Sequence, residues 1–201
     1  MKITLIDNGA GNVASVERAL TRLGADSERA STPEAMANAK VIILPGVGHY
    51  SALVRALDEK RLREPLLKAI AKGVPFLGIC LGLQSLYESS DEAPDLAGLR
   101  VLPGRVRRLP TYVKLPHMGW NQLQTKLDSR LLAGIDKSAF FYFAHSFAAT
   151  NADASTVATC AHGANFVAVV EKENICAVQF HPEKSGAPGA RLLQNFLRFA
   201  A

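Results

Sequence analysis

The sequence has few cysteines and no long apolar run, and each absence excludes a class of protein. Its three cysteines (Cys80, Cys160 and Cys176) are odd in number and widely spaced, which excludes a disulfide framework and favours a reducing compartment. No window approaches the roughly 18 apolar residues that span a bilayer. The first residues also lack the apolar core and cleavage site of a signal peptide. We therefore expect a cytoplasmic protein without a membrane segment.

The excess of positive charge is small, and the basic residues do not form the pattern of a nucleic-acid-binding protein. Lys and Arg number 23 against 18 Asp and Glu, a formal net charge of +5. The densest basic cluster (Arg105, Arg107 and Arg108) is short and has no interleaved aromatic residues, so we expect no nucleic-acid partner. The Gly-Lys-Ser/Thr ending of a phosphate loop is missing, as is the Cys-x-x-Cys or His-x-x-x-His spacing of a zinc site. We expect neither a metal nor a cofactor.

The first half of the chain alternates short apolar runs with helical patterns. Strands are predicted at residues 3–6, 41–44 and 75–79, and helices at residues 13–23, 51–57, 65–72 and 81–87. This βαβα order predicts a mostly parallel sheet with helices on both faces. The length and the 48% apolar content fit one domain over residues 1–201.

The second half predicts antiparallel hairpins and a closing helix. Short turns separate the candidate strands, which cover residues 101–109, 122–124, 140–143, 157–161, 166–171 and 175–180. An amphipathic helix is predicted over Ala190–Ala201. The fold class is therefore a three-layer α/β arrangement, whose central sheet is extended by antiparallel strands from the C-terminal half.

A candidate nucleophile lies in Gly78-Ile79-Cys80-Leu81-Gly82, where a buried strand meets a helix. This is a cysteine version of the G-x-S-x-G nucleophile elbow, whose glycines permit a tight strand-to-helix turn. The turn projects the sulfur near a helix N-terminus, where the dipole favours thiolate. The alternative interpretation is a buried core cysteine at a strand end.

A nucleophilic cysteine needs a base and a group that orients the base, and His181-Pro182-Glu183 offers both just after a strand. The alternative is a surface turn with an incidental histidine. Four other histidines are candidates for the base: His49, His117, His145 and His162. Pro45-Gly46-Val47-Gly48, after another buried strand, predicts a loop whose backbone N–H groups face a developing negative charge.

Together these motifs resemble the class I (triad) glutamine amidotransferase family, and the similarity covers essentially the whole chain. Three motifs occur in the order of that class: Pro45-Gly46-Val47-Gly48-His49, Gly78-Ile79-Cys80-Leu81-Gly82-Leu83-Gln84 and Gln179-Phe180-His181-Pro182-Glu183-Lys184-Ser185. The second and third are typical of the whole class, whereas the Pro45–Gly48 form is typical of one branch. The resemblance implies that Cys80 attacks the side-chain amide of L-glutamine and that His181, oriented by Glu183, transfers the protons. It also implies an oxyanion hole from the backbone N–H groups of Val47 and Leu81.

For the substrate, the resemblance implies that glutamine is held by Gly48, Gln84, Ser146 and Phe147. Two further segments are similar to one branch of the family, which supplies ammonia to a cyclase subunit in histidine biosynthesis. These segments are Pro116-His117-Met118-Gly119-Trp120-Asn121 and Phe141-Tyr142-Phe143-Ala144-His145-Ser146. The cyclase of that branch is a (β/α)8 barrel that forms imidazole glycerol phosphate, and the resemblance implies a heterodimer with it.

The residues expected at or near that interface are Asn12, Trp120, Tyr142 and Lys184. For Trp120 the alternative is core packing, and for Lys184 it is a solvated surface lysine. Two other functions also stay open: a glutaminase that serves pyridoxal phosphate or guanylate synthesis, and a catalytically silent scaffold. The Pro116–Asn121 segment argues against the first, and the intact Cys80, His181 and Glu183 argue against the second.

Overall fold

A computed structural model describes residues 2–9, 12–126 and 128–201 of the chain. The strands in those ranges are β1 (Lys2–Ile6), β2 (Asp26–Ala30), β3 (Ile42–Gly46), β4 (Phe76–Cys80), β5 (Ser89–Ser90), β6 (Arg105–Arg108), β7 (His117–Gln122), β8 (Gln124–Thr125), β9 (Phe140–His145), β10 (Phe147–Ala149), β11 (Thr156–His162), β12 (Ala164–Lys172) and β13 (Ile175–Val178). The α-helices are α1 (Val13–Arg22), α2 (Pro33–Met36), α3 (Tyr50–Glu59), α4 (Arg63–Ala71), α5 (Leu81–Gln84) and α6 (Gly186–Phe199), and a 3₁₀ turn covers Pro182–Lys184.

The main sheet has eight strands in the order β2-β1-β3-β4-β13-β12-β11-β8. Its first four pairings are parallel, and the remaining three are antiparallel. The mostly parallel sheet with an antiparallel extension is therefore confirmed. Because β3, β4 and β13 are parallel neighbours, the segments that follow them meet at one edge of the sheet, where open α/β folds bind ligands.

Two smaller sheets flank this edge. Strands β7 and β9 pair antiparallel, with Trp120 opposite Tyr142 and His117 opposite His145. Strands β10, β6 and β5 form the other small sheet. The first pair places the Pro116–Asn121 and Phe141–Ser146 segments side by side.

Each face of the main sheet is covered by its own apolar core. Helices α1 and α6 cover one face, with Val16 and Phe196 fully buried in its core. Helices α2, α3 and α4 cover the other face, where Leu53 and Leu66 are fully buried. None of the helices in the described ranges has the length and apolarity to cross a membrane.

Several elements differ from the sequence-based expectation. Strand β2 (Asp26–Ala30) was not predicted, because it is a polar edge strand without an apolar alternation. Helix α6 begins at Gly186 rather than Ala190, since a proline in the first helical turn needs no N–H partner. Helix α5 ends at Gln84, and the predicted continuation to residue 87 is a turn.

Candidate active site

Cys80 lies at the turn from β4 into α5, in a backbone conformation that non-glycine residues rarely adopt. Its φ is 55° and its ψ is −105°. Conformations of this kind cost about 1–3 kcal/mol and persist only where the surrounding fold determines them. The candidate elbow is therefore present in the structure as a strained turn.

The glycines around Cys80 are required by close backbone contacts. A Cβ on Gly82 would lie 2.0 Å from the carbonyl oxygen of Leu44, and a Cβ on Gly78 would lie 2.8 Å from the Gly82 backbone. A Cβ on Gly46, in β3, would lie 2.6 Å from the Leu81 side chain. Strands β3 and β4 thus hold helix α5 closely enough to fix the turn that carries the sulfur.

His181 follows β13 at the same edge of the sheet and is almost fully buried. Its Nδ1–H donates to Glu183 Oε1 over 2.9 Å, and the same oxygen accepts from Asn12 Nδ2 over 2.6 Å. Because Nδ1 faces Glu183, Nε2 is left for the hydrogen bond between His181 and Cys80. Cys80, His181 and Glu183 are therefore brought together in the order that a nucleophile, a base and an orienting group require.

The charges of this group stabilise one another. Burial alone would lower the pKa of His181, but a charged and hydrogen-bonded Cys80 sulfur, with Glu183 behind the ring, raises it to about 10. Burial alone would raise the pKa of Glu183, yet the hydrogen bonds from His181 and Asn12 and the charge of His181 lower it. The imidazole ring of His181 thus lies between the Cys80 sulfur and the Glu183 carboxylate, and both favour its protonated form.

The backbone around His181 is fixed by strand β9. The His181 N–H donates to the Tyr142 carbonyl over 2.8 Å, and the Tyr142 N–H donates to Ser185 Oγ over 3.0 Å. Ser185 Oγ donates in turn to the His181 carbonyl over 2.6 Å. Ser185 was not predicted as a site residue, and its adjacency to the His-Pro-Glu motif is the only sequence signal for it.

A cavity of 270 Å³ opens in front of Cys80. Its wall contains all of the residues predicted for the oxyanion hole and for glutamine. The lining is Val47, Gly48, Cys80, Leu81, Gln84, Glu92, Ala144, His145, Ser146, Phe147, His181 and Lys184. Gly48 has a φ of +94°, a conformation that glycine adopts without strain.

Two glutamines connect the cavity wall to the sulfur. Gln84 Nε2 donates to the Phe147 carbonyl over 2.7 Å and to Gln179 Oε1 over 3.1 Å. Gln179 Nε2 in turn lies 3.6 Å from Cys80 Sγ as a donor. Gln84 Oε1 is buried without a hydrogen-bond partner among the described residues.

Glu92 and Gln179 were not predicted as site residues. Glu92 adds a carboxylate to the cavity, and one of its oxygens accepts from the Tyr50 N–H over 2.8 Å. Glu92 lies outside all of the motifs from which the site residues were predicted. Gln179 is part of the His181 motif, but nothing in its sequence position indicates a hydrogen bond to Cys80.

The four residues predicted for a partner interface separate into two groups. Trp120 is 55% exposed, and its ring meets Tyr142 edge-to-face at 5.9 Å, while Lys184 Nζ lies 5.8 Å from the Tyr142 ring centre. Trp120 is therefore not a core residue. Asn12, by contrast, directs its amide at Glu183 and supports the candidate base.

The remaining cysteines and histidines have other surroundings. Burial raises the pKa of both Cys160 and Cys176 to about 12, as is typical of unreactive core thiols. His49 caps the N-terminus of α3, accepting from the Ser51 N–H over 3.2 Å. In the described part of the chain, no three His, Cys, Asp or Glu side chains are arranged to hold a metal ion.

Comparison with known proteins places these features in a family. The description of the matching family is "Glutamine amidotransferase class-I", and the match covers residues 4–199. The Imidazole glycerol phosphate synthase subunit HisH of Methanothermobacter thermautotrophicus is 46% identical over 97% of both chains. The protein of the same name from Aquifex aeolicus is 44% identical over 100% of this chain and 98% of its own.

Solved structures show the same fold at low identity. A glutamine amidotransferase crystal structure superposes with a TM-score of 0.79 at 20% identity, covering 98% of each chain. A chain in the structure of PurLQS from Thermotoga maritima superposes with a TM-score of 0.79 at 19% identity, covering 100% of this chain and 99% of its own. The chain therefore belongs to the class-I glutamine amidotransferase family, within the group of imidazole glycerol phosphate synthase HisH subunits.

Proposed function

We propose that this chain is the glutaminase subunit of an imidazole glycerol phosphate synthase. It hydrolyses L-glutamine to glutamate and ammonia and supplies the ammonia to a cyclase subunit in histidine biosynthesis. The observation that carries the proposal is the convergence of Cys80 and His181 on one cavity, with Glu183 bonded to His181 Nδ1, from segments that are far apart in the sequence. Relatives at 44–46% identity that are HisH subunits support this acceptor over others.

The first half of the reaction forms a thioester. The Cys80 thiolate attacks the side-chain amide carbon of glutamine, and the carbonyl oxygen becomes an oxyanion that accepts hydrogen bonds from the Val47 and Leu81 N–H groups. His181 then donates its proton to the amide nitrogen, which leaves as ammonia. Loss of one oxyanion donor costs about 3–4 kcal/mol of transition-state stabilisation, so the orientation of the Val47 loop controls the rate.

The second half regenerates the enzyme. His181, now neutral, takes a proton from water as the water attacks the thioester carbonyl, and the tetrahedral intermediate collapses to glutamate and the Cys80 thiolate. Glu183 keeps the imidazole oriented and stabilises its positive charge in both halves. This sequence of steps requires no cofactor.

The cavity supplies complementary groups for the substrate. Glu92 offers a carboxylate that matches the α-ammonium group of glutamine, and Gln84 forms a further part of the cavity wall. Backbone groups of Gly48, Ser146 and Phe147 line the rest of the cavity and would hold the remainder of the molecule.

The partner is a cyclase subunit with a (β/α)8 barrel, and the two chains form a cytoplasmic heterodimer. We assign its docking face to the exposed group of Trp120, Tyr142 and Lys184, which lies beside the cavity because Lys184 also lines it. The family match over residues 4–199 supports one amidotransferase domain across the whole chain, residues 1–201. We assign the ammonia-consuming chemistry to the partner, because the HisH relatives are named as one subunit of the synthase.

The test is a glutaminase assay of the isolated chain and of the chain with the cyclase, with and without the nucleotide ligand of the cyclase. We expect slow hydrolysis by the isolated chain and much faster hydrolysis in the liganded complex, since the glycines around Val47 permit its peptide to reorient. Equal rates in all three samples would contradict activation by the partner. The Cys80→Ala complex should lose glutamine-dependent cyclisation but keep cyclisation with added ammonia.

A further inference from the structure

A series of linked hydrogen bonds, called the file below, runs from Asn121 on β7 through His117 and His145 to the wall of the cavity. Asn121 Nδ2 lies 3.3 Å from His117 Nε2, and His117 Nδ1 lies 3.1 Å from His145 Nε2. His145 Nδ1 lies 2.9 Å from the Phe147 carbonyl oxygen. The file ends at the oxygen that also accepts from Gln84 Nε2 over 2.7 Å.

The donors and acceptors in this file have only one consistent arrangement. A carbonyl oxygen can only accept, so His145 carries its proton on Nδ1 and leaves Nε2 as an acceptor. His117 must then donate from Nδ1, and its Nε2 accepts from Asn121. The second Asn121 N–H donates to the Ala161 carbonyl over 3.0 Å, so the amide orientation is fixed as well.

Burial keeps both rings neutral, which this arrangement requires. It lowers the pKa of His145 to about 3 and, with the charge of the nearby His162, lowers that of His117 to about 4. His162 stacks on His117 with ring centres 4.2 Å apart, and its Nε2 lies 2.8 Å from the Lys114 carbonyl oxygen. A proton added to either ring would set two N–H groups against each other.

We propose that His145, held in its Nδ1–H form by His117 and Asn121, is a positioning residue for the glutamine site. Its target is the Phe147 carbonyl, which together with Gln179 uses both Gln84 N–H groups. These two bonds fix the orientation of the Gln84 amide, and they leave Oε1 buried at the cavity wall without a partner among the described residues. The inference rests on the proposed function, because it assigns the Gln84 side chain to the glutamine site.

Two variants of His145 distinguish the effect of losing the Nδ1 hydrogen bond from the effect of losing the rest of the ring. Asn at position 145 places an amide N–H where Nδ1 was, whereas Gln places its amide near Nε2. In the complex with the cyclase, His145→Gln should raise KM for glutamine about tenfold, the usual consequence of a buried acceptor that loses its donor, with little change in kcat. His145→Asn should restore KM to near the wild-type value, and thermal unfolding checks that both variants fold.

A second measurement tests the hydrogen-bond arrangement of the file and needs no activity assay. Nitrogen NMR of the histidine rings should find His145 and His117 neutral at pH 7 and protonated on Nδ1. An Nε2–H form of His145, or an equal KM in the Asn and Gln variants, would overturn the positioning role. If the wild-type complex does not hydrolyse glutamine, the proposed function fails, and the NMR result still decides the arrangement of the file.

Discussion

Replacing Asn12 by alanine tests the most direct difference between the sequence-based prediction and the structure. The resemblance assigned Asn12 to the partner interface. In the structure its amide donates over 2.6 Å to Glu183 Oε1, the oxygen that also binds His181. The two roles predict different defects: one in binding the cyclase, the other in the chemistry of Cys80.

The size of the effect follows from that hydrogen bond. A hydrogen bond to a charged group contributes about 1.5–3 kcal/mol. Because His181 still binds Glu183 in the variant, we take the lower end, which corresponds to about a tenfold fall in kcat/KM. The Asn12 hydrogen bond also helps to lower the pKa of Glu183, so its loss raises that pKa. The acid limb of the kcat/KM profile should therefore move to higher pH.

The assay is glutaminase turnover of the Asn12→Ala complex at saturating cyclase, with Asn195→Ala as a matched control. Asn195 is a buried asparagine whose Nδ2 donates to the Leu131 and Ala133 carbonyls, both over 2.8 Å. The control should unfold at a lower temperature and keep its kcat/KM. An Asn12→Ala enzyme with unchanged kcat/KM and a weaker Kd for the cyclase would refute the triad-supporting role.

Three further predictions concern stability and the partner. Gly82→Ala should lower the thermal midpoint by about 6–12 °C in calorimetry, since a Cβ lying 2.0 Å from the Leu44 oxygen costs about 3 kcal/mol, and an unchanged midpoint would contradict this. Trp120→Ala should leave that midpoint unchanged but weaken Kd for the cyclase about 30-fold, as expected for an aromatic interface anchor worth about 2 kcal/mol, and an equal Kd would exclude this docking face. The raised pKa of His181 means that the imidazolium stabilises the fold fully below pH 6.5 and loses this effect as pH rises towards about 10. The difference in unfolding free energy between wild type and His181→Gln should shrink over that range, and a constant difference would contradict the charged pair.

The sequence was sufficient to predict which strand ends carry the chemistry. Gly78–Gly82 and His181–Glu183 each combine a strand end with a local motif, and parallel pairing brings such ends to one edge of a sheet. The same reasoning placed the Val47 loop beside Cys80. These predictions depended only on the strand order and on short-range backbone geometry.

The supporting contacts could not be predicted in this way. The bonds from Asn12 to Glu183 and from Gln179 to Cys80 join residues 171 and 99 positions apart, and they depend on side-chain directions that no local pattern determines. Glu92 enters the cavity from a stretch without regular apolar spacing. Strand β2 was missed for a related reason: as an edge strand it is polar, and its pairing with β1 comes from the sheet rather than from its own sequence.

The most direct test of the central claim follows the nitrogen itself. The complex is given glutamine labelled in its side-chain amide together with excess unlabelled ammonia, and the imidazole glycerol phosphate formed is analysed by mass spectrometry. The proposed function predicts labelled product from the wild-type complex and only unlabelled product from the Cys80→Ala complex. The absence of labelled product from the wild type, or labelled product from the variant, would contradict it.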